Sequence, residues 1–501
     1  MSLKKDSCSE ESFSGKLFVR KNVTMITRRS FIASVGSAAA AAGILAQKSF
    51  ASSLEKKPSL KSSALGPAPN FTRSILPGNP SSVRREIQEF VDRILIIDAH
   101  EHFLTEPELI KDAQKRNDFM QLFIHYFPQD IIAAGMPEEE WNNVFESQMP
   151  TDKKWKIIEP YLSKAQNTAY YWVLDLAIRN YYGIEGLSAS TYKRLSDKVR
   201  EEYRPGIYDR IVCKAGGIEK VITDHCDRQK AEDYAGQNLI LPTWKIDPWI
   251  YIRGKGDLAN IAKESKMNVT SVSGIRSAFG TLLEMRRKSG IVAVKCGSAY
   301  DRTLEFKFVS DQDAQRALDT LLKYDDPDAA KVLQDYIFHV VVQVCTDNNI
   351  PIQIHTGLLG RSNYGHLART NPLLLADTFA HYTKAKFDVF HAGYPWMREV
   401  GTLGRINTSV YADLCWAQFI CPAAAKSALD EWLDSMPASK ILAFGGDYWF
   451  PEGSYGHSIV ARTNIGEVLA NRIERGRMTM DEAKTVAQMI LRDNVIELYG
   501  L

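Results

Sequence analysis

Residues 94–103 read ILIIDAHEHF, an apolar strand-like run that ends on two histidines, His100 and His102. On a strand, residues i and i+2 share a face. The two imidazoles are therefore placed side by side, with Glu101 directed elsewhere. Four further runs are built the same way. Residues 291–302, IVAVKCGSAYDR, deliver Lys295, Tyr300 and Arg302; residues 350–357, IPIQIHTG, deliver His355. Residues 387–396, FDVFHAGYPW, deliver His391; residues 441–450, ILAFGGDYWF, deliver Asp447. A doubly wound sheet shows the same alternation of strand and helix. Only a barrel gathers this many strand ends at one point, at the C-terminal mouth of its parallel strands. The reading is thus α/β class, a TIM-like (β/α)8 barrel with a metal-dependent reaction at its mouth.

Working outward, the remaining strands are predicted at Glu219 to Thr223, Leu239 to Ile246 and Ser409 to Asp413. His355 and His391 stand 36 residues apart, one βα unit; His391 and Asp447 stand 56 apart, room for two units. An apolar series from Val332 to Cys345 at helical spacing predicts a helix before the fifth strand. Met480 to Tyr499 predicts a closing helix, and Ser82 to Arg93 a short opening helix with Ser82 as its cap. Between the first two strands, residues 104–218 form a long helical insertion, with helices expected at Thr151 to Lys164, Thr168 to Tyr182 and Ser188 to Tyr203. So long a connection needs structure of its own, and it is expected to cover the barrel mouth.

Residues 1–51 read as an export signal. Arg28-Arg29 in TRRSFIA precede an Ala/Gly-rich apolar run, and Ser49-Phe50-Ala51 offers a small-x-small cleavage site. This resembles a twin-arginine signal, which implies a folded, periplasmic protein; an N-terminal anchor is the alternative. Residues 52–85, rich in Ser, Pro and Lys, are expected to be a flexible leader. The barrel then occupies 86–501. The formal charge of +2 falls to −3 without the signal, because 54 of 62 basic and 57 of 60 acidic residues remain. That near-neutral balance gives no reason to expect nucleic acid as a partner. The expected partner is a small-molecule substrate, with no membrane partner after cleavage; a homo-oligomer stays open. Cys8 leaves with the signal, and the other six cysteines lack C-x-x-C spacing, so buried thiols are the default.

The chemistry follows from residue type and place. Two imidazoles on one strand face suit Zn²⁺ or a neighbouring divalent ion. His355 and His391, each ordinary alone, extend the set. Asp447 can ligate a metal and take a proton from water; its alternative role is a helix cap. Lys295 inside a strand must pair, snorkel or carry a carbamate. Arg302 offers a fork to a substrate carboxylate, or a plain ion pair. Tyr394, Trp396, Tyr448, Trp449 and Phe450 crowd the mouth, either as a ring pocket or as packing under the insertion. His125, His339, His366, His381 and His457 read as structural or exposed, and TDHCD at 223–227 follows the second strand. No P-loop, G-x-G-x-x-G turn, G-x-S-x-G elbow or H-E-x-x-H motif is present.

From about Ile94 to Leu501 these motifs resemble the amidohydrolase superfamily, in particular its amidohydrolase-related, nodulin-like branch, with features shared by uronate isomerases. The residues that carry the likeness are IDAHEH, VKCGSAYDR, IPIQIHTG with the following NPLLL, FHAGYPWMREVG, ILAFGGD and the ending DNVIELYGL. The resemblance implies one catalytic divalent metal, Zn²⁺, on His100, His102, His355 and Asp447. His391 is then a base or polarising group, and Lys295, Tyr300 and Arg302 contact substrate. The implied reaction is hydrolysis of an amide, ester or lactone of a small carboxylated substrate, with Asp447 taking the proton from water. Decarboxylation and uronate isomerisation are the alternatives at the same site; a metal-free periplasmic binding protein is the remote one.

Overall fold

The computed structural model describes residues 60, 65–66, 75–146, 149–224, 231–234, 236–360 and 366–501. The expected export signal, most of the leader, and His225, Cys226 and Asp227 lie outside the described residues. Eight parallel strands follow one another in sequence order: β1 Ile96–Glu101, β2 Ile218–Thr223, β3 Ile240–Lys245, β4 Ala293–Cys296, β5 Ile352–Ile354, β6 Phe387–Val389, β7 Val410–Asp413 and β8 Ile441–Leu442. The residues after β8 bond back to β1: Ala99 N donates to Phe444 O at 3.1 Å, His102 N to Tyr448 O at 3.1 Å and Asp447 N to His100 O at 2.8 Å. The result is a nearly closed (β/α)8 barrel, the architecture expected from the strand ends. The strands read as apolar runs because parallel strands are buried on both faces, by the barrel interior and by the helix ring.

Local differences have local causes. The opening helix, Ser82–Arg93, is capped by Ser81 rather than Ser82, since the Ser81 hydroxyl is the one that accepts from Arg84 N. β1 reaches Glu101, so His100 is itself a strand residue. Between β1 and β2 lie the helices Glu106–Ala113, Phe127–Ala133, Glu138–Glu146, Thr151–Ala165, Ala169–Leu176 and Tyr192–Glu202. The last starts four residues later than expected because Ser188 to Thr191 form a turn, with the Thr191 hydroxyl donating to Gly186 O at 2.6 Å. The closing helix is interrupted by a π-turn, Met489–Asp493, and starts from a capping box of Thr479 and Glu482. Among the described residues, no helix is long and apolar enough to cross a membrane.

The barrel interior is polar beneath the mouth. Lys295, Gln353 and Asp388 share one register row across β4, β5 and β6. Gln353 reaches across the barrel to donate to Ala99 O at 3.1 Å and to the Tyr499 hydroxyl at 2.9 Å. Tyr499, from the last helix, also hydrogen-bonds Asp388. Burial, the dominant cause, pushes the Asp388 carboxyl up to about 7, against the Tyr499 hydroxyl and Lys295, which lower it.

Candidate metal centre

β1 and the residues after β8 meet at the barrel seam, and the seam carries a buried cluster of ligand-type side chains. His102 Nε2 lies 3.0 Å from Asp447 Oδ1, and His100 Nε2 lies 3.4 Å from the same oxygen. Two donors bound to one tetrahedral ion at ~2.1 Å stand roughly 3.4 Å apart, so this spacing fits a shared cation. The tautomers agree. His102 Nδ1 sits 3.1 Å from Asp224 O, a carbonyl that can only accept, so Nδ1 carries the proton. The other nitrogen, Nε2, is then a lone pair aimed at a carboxylate oxygen that has no hydrogen-bond partner. A cation between them resolves that contact. Asp224 thus acts through its carbonyl, orienting the ligand imidazole as outer groups do in metal sites.

Asp447 is held in left-handed backbone, φ 57°, ahead of the helix Pro451–Glu474, whose cap is Phe450. It is therefore not a helix cap. Burial alone would raise its carboxyl, but the His100 and His102 imidazoles beside it hold it well below the ordinary range. The His100 ring is pushed down to about 4, by burial first and then by Lys295. Lys295 is buried, with its ammonium 3.3 Å from His100 Nε2 and 4.0 Å over the Phe390 ring.

The structure places His355 and His391 one step further round. His391 Nδ1 is 3.7 Å from Asp447 Oδ2, and His391 Nε2 is 3.0 Å from His355 Nδ1. His355 Nε2 donates to Leu358 O at 2.8 Å. Both ring nitrogens of His355 thus face protein partners. Burial, then Lys295, pushes His355 down to about 3. The Tyr300 ring packs against His355 at 4.7 Å, and its hydroxyl accepts from Gly360 N. Arg302 is elsewhere: its guanidinium donates to Gln334 at 2.9 Å, Asp335 at 2.5 Å and two backbone carbonyls. Of the two roles expected for Arg302, a fork for a substrate carboxylate and an ion pair, these contacts form the ion pair.

Several site residues escaped the sequence reading. Glu101, directed away from the imidazole face, is buried, and its carboxylate accepts from Tyr448 N at 2.6 Å, pinning the loop that carries Asp447. Burial, then Asp98, raises its pKa well above the ordinary carboxylate range. Gly446 must be glycine here, since a Cβ would lie 1.7 Å from the Glu101 carboxylate. The insertion contributes His125, edge-on to His102 at 5.7 Å and stacked on Trp449 at 5.0 Å, and Tyr126, stacked on Trp416 at 4.4 Å. Burial, then Asp447, raises the Tyr126 phenol well above its ordinary range. No strand pattern marks these two. Asp224 followed the strand-end rule and was legible by it.

Residues 292–501 match the family described as amidohydrolase. The chain is similar in structure to a uronate isomerase from Thermotoga maritima, with a TM-score of 0.68, 14% identity, and 84% of this chain and 98% of that one covered. A glucuronate isomerase from Caulobacter crescentus gives 0.68 and 16% identity over 85% and 95% of the two chains. A candidate metal-dependent hydrolase from Lactobacillus casei gives 0.58 and 19% over 83% and 97%. No curated protein sequence matches the chain. Residues 292–501 thus carry the amidohydrolase match, and the chain as a whole shares the fold of the uronate isomerases.

Proposed function

We propose that the protein is a metal-dependent hydrolase acting on an amide, ester or lactone of a small carboxylated molecule. The observation that carries this reading is the convergence of His100 Nε2 and His102 Nε2, at 3.4 and 3.0 Å, on one oxygen of the buried Asp447 carboxylate. Two imidazoles and a carboxylate are the donor set of Zn²⁺. His100, His102 and Asp447 would hold the ion. When bound, such an ion polarises a substrate oxygen and acidifies water at neutral pH.

The chain's own groups do the rest. Asp447 takes the proton from the attacking water and returns it to the leaving group. His391 packs against the second oxygen of that carboxylate and fixes its orientation. Lys295, next to His100, supplies positive charge for an anionic substrate, a part Arg302 is not free to play. His125 and Trp449 set their rings edge-on beside His102 and narrow its exposure to solvent. Export by the twin-arginine route into the periplasm is part of the same proposal, on the strength of TRRSFIA.

The test is turnover of zinc-loaded protein on carboxylated lactones, amides and esters, with D-glucuronate included, in isotopically labelled water. Hydrolysis puts label into the product. Isomer formed without label, or release of carbon dioxide, assigns isomerisation or decarboxylation instead. Asp447→Asn is expected to lower kcat by about 10²–10⁴-fold. Undiminished turnover with normal metal content would remove Asp447 as the base.

A further inference from the structure

The loop that carries Asp447 is held against its own preference. Asp447 has left-handed backbone, φ 57°, a conformation that costs a non-glycine residue about 1–3 kcal/mol and persists only where its surroundings enforce it. The peptide between Gly446 and Asp447 sets that angle, and it is fastened at both polar ends. Asp447 N donates to His100 O at 2.8 Å. Gly446 O faces His457 Nδ1 at 3.1 Å. A carbonyl can only accept, so Nδ1 carries the proton. Turning this peptide over would relax Asp447 and break both bonds.

His457 comes from the second turn of the helix Pro451–Glu474. Helical side chains lean toward the N-terminus, so the imidazole reaches back over the loop that enters the helix. The residue is fully buried, with its ring 4.5 Å from Phe419, edge to face, and 4.8 Å from Phe444. Surroundings of this kind suit an apolar side chain better than an imidazole. The second nitrogen, Nε2, is buried with no hydrogen-bond partner, which costs about 1–3 kcal/mol. What the imidazole supplies, and an apolar ring could not, is the N–H aimed at Gly446 O.

Given the ion proposed on His100, His102 and Asp447, we infer that His457 is a positioning residue for that site: its Nδ1–H holds the 446–447 peptide in the orientation that presents the Asp447 carboxylate to the two imidazoles. Three further bonds complete the clamp. Asp98 Oδ1 accepts from both Gly446 N at 3.1 Å and His100 N at 3.0 Å, so one carboxylate ties the loop to the first strand. Glu101 accepts from Tyr448 N on the other side of Asp447. Asp98 and Glu101 reach the loop from β1, whereas His457 reaches it from the helix ring, so the loop is gripped from two sides. His457 acts through the Gly446 peptide and touches no ligand atom itself.

Full-length His457→Phe, which keeps a ring and removes the N–H, is compared with His457→Asn, whose amide sets an N–H where Nδ1 stood. Folding is checked by circular dichroism and by Tm of chelator-treated protein, and zinc affinity is measured by competition with a chelating dye. His457→Phe is expected to bind zinc about 10–100-fold more weakly, and His457→Asn to restore most of that loss. Where His457→Phe does not fold, His457→Gln, which carries its N–H one carbon further out, replaces it with the same expected loss. Wild-type affinity in the folded donor-less or displaced-donor variant overturns the inference. So does an equal loss in that variant and in His457→Asn, which would assign His457 to packing alone. Wild-type protein that binds no zinc overturns the ion itself and the positioning role with it, a result distinct from the other two.

Discussion

Arg302 and Asp335 form a buried pair at 2.5 Å, with Lys331 as a second, longer partner of the same carboxylate at 3.3 Å. Removing one member of a buried pair leaves an uncompensated charge and costs about 3–5 kcal/mol. Arg302→Ala is therefore expected to lower unfolding stability by several kcal/mol in metal-free protein, measured with denaturant. If stability were unchanged and affinity for a carboxylated ligand fell instead, the clamp role would be restored. Glu101 gives a second residue-level expectation. Burial and Asp98 raise its carboxyl well above the ordinary range, and Glu101→Gln keeps the side chain's size and an oxygen able to accept from Tyr448 N. Glu101→Ala strands Tyr448 N and frees the Asp447 loop, which predicts a loss of about 10–100-fold in zinc affinity, by competition with a chelating dye. Equal affinity in both variants would show that Glu101 does not position the ligand.

At the scale of elements, the insertion is tied to the barrel through one acid. Glu452, in the first turn of the helix Pro451–Glu474, is buried and accepts from the Tyr182 hydroxyl at 2.5 Å and the Tyr203 hydroxyl at 2.9 Å. Burial, the largest cause, raises its carboxyl from 4.5 to about 7 despite those bonds. The folded state then binds a proton that the unfolded state has already released. Its contribution is fully present below pH 4.5 and is lost as pH rises through about 7. A shift of that size corresponds to roughly 3 kcal/mol. Wild type should lose stability between pH 5 and 8 relative to Glu452→Gln, in urea titrations at each pH. Parallel pH profiles of the two proteins would exclude Glu452 as the titrating link.

At the scale of the whole molecule, the candidate metal ligands straddle the seam of the barrel. His100 lies in the first strand, His102 directly after it, and Asp447 follows the last, so an ion bound among them would join the two ends of the sheet. A ligand that binds only the folded state stabilises it by about 2.7 kcal/mol at a hundred times its Kd. Zinc is expected to raise Tm of chelator-treated protein, and His102→Ala to abolish the rise. A zinc response that survives His102→Ala would place the stabilising ion elsewhere.

The sequence by itself determined the barrel and most of its mouth. Strand ends such as ILIIDAHEHF and ILAFGGDYWF are legible because parallel strands are continuous apolar runs, and side-chain parity on β1 puts His100 and His102 together whatever the surroundings. Tertiary structure alone decided which of the strand-end groups share a contact: Asp447 with the first-strand pair, His355 behind His391, Arg302 in a scaffold ion pair. It also brought in His125 and Tyr126 from the insertion, the Asp224 carbonyl that orients His102, and the His457 ring beside the Gly446 carbonyl. The physical reason is reach. Periodicity and parity act over a few residues and fix the direction of a side chain, whereas the partner of a ring nitrogen is set by closure of the sheet and by the docking of helices distant in the chain.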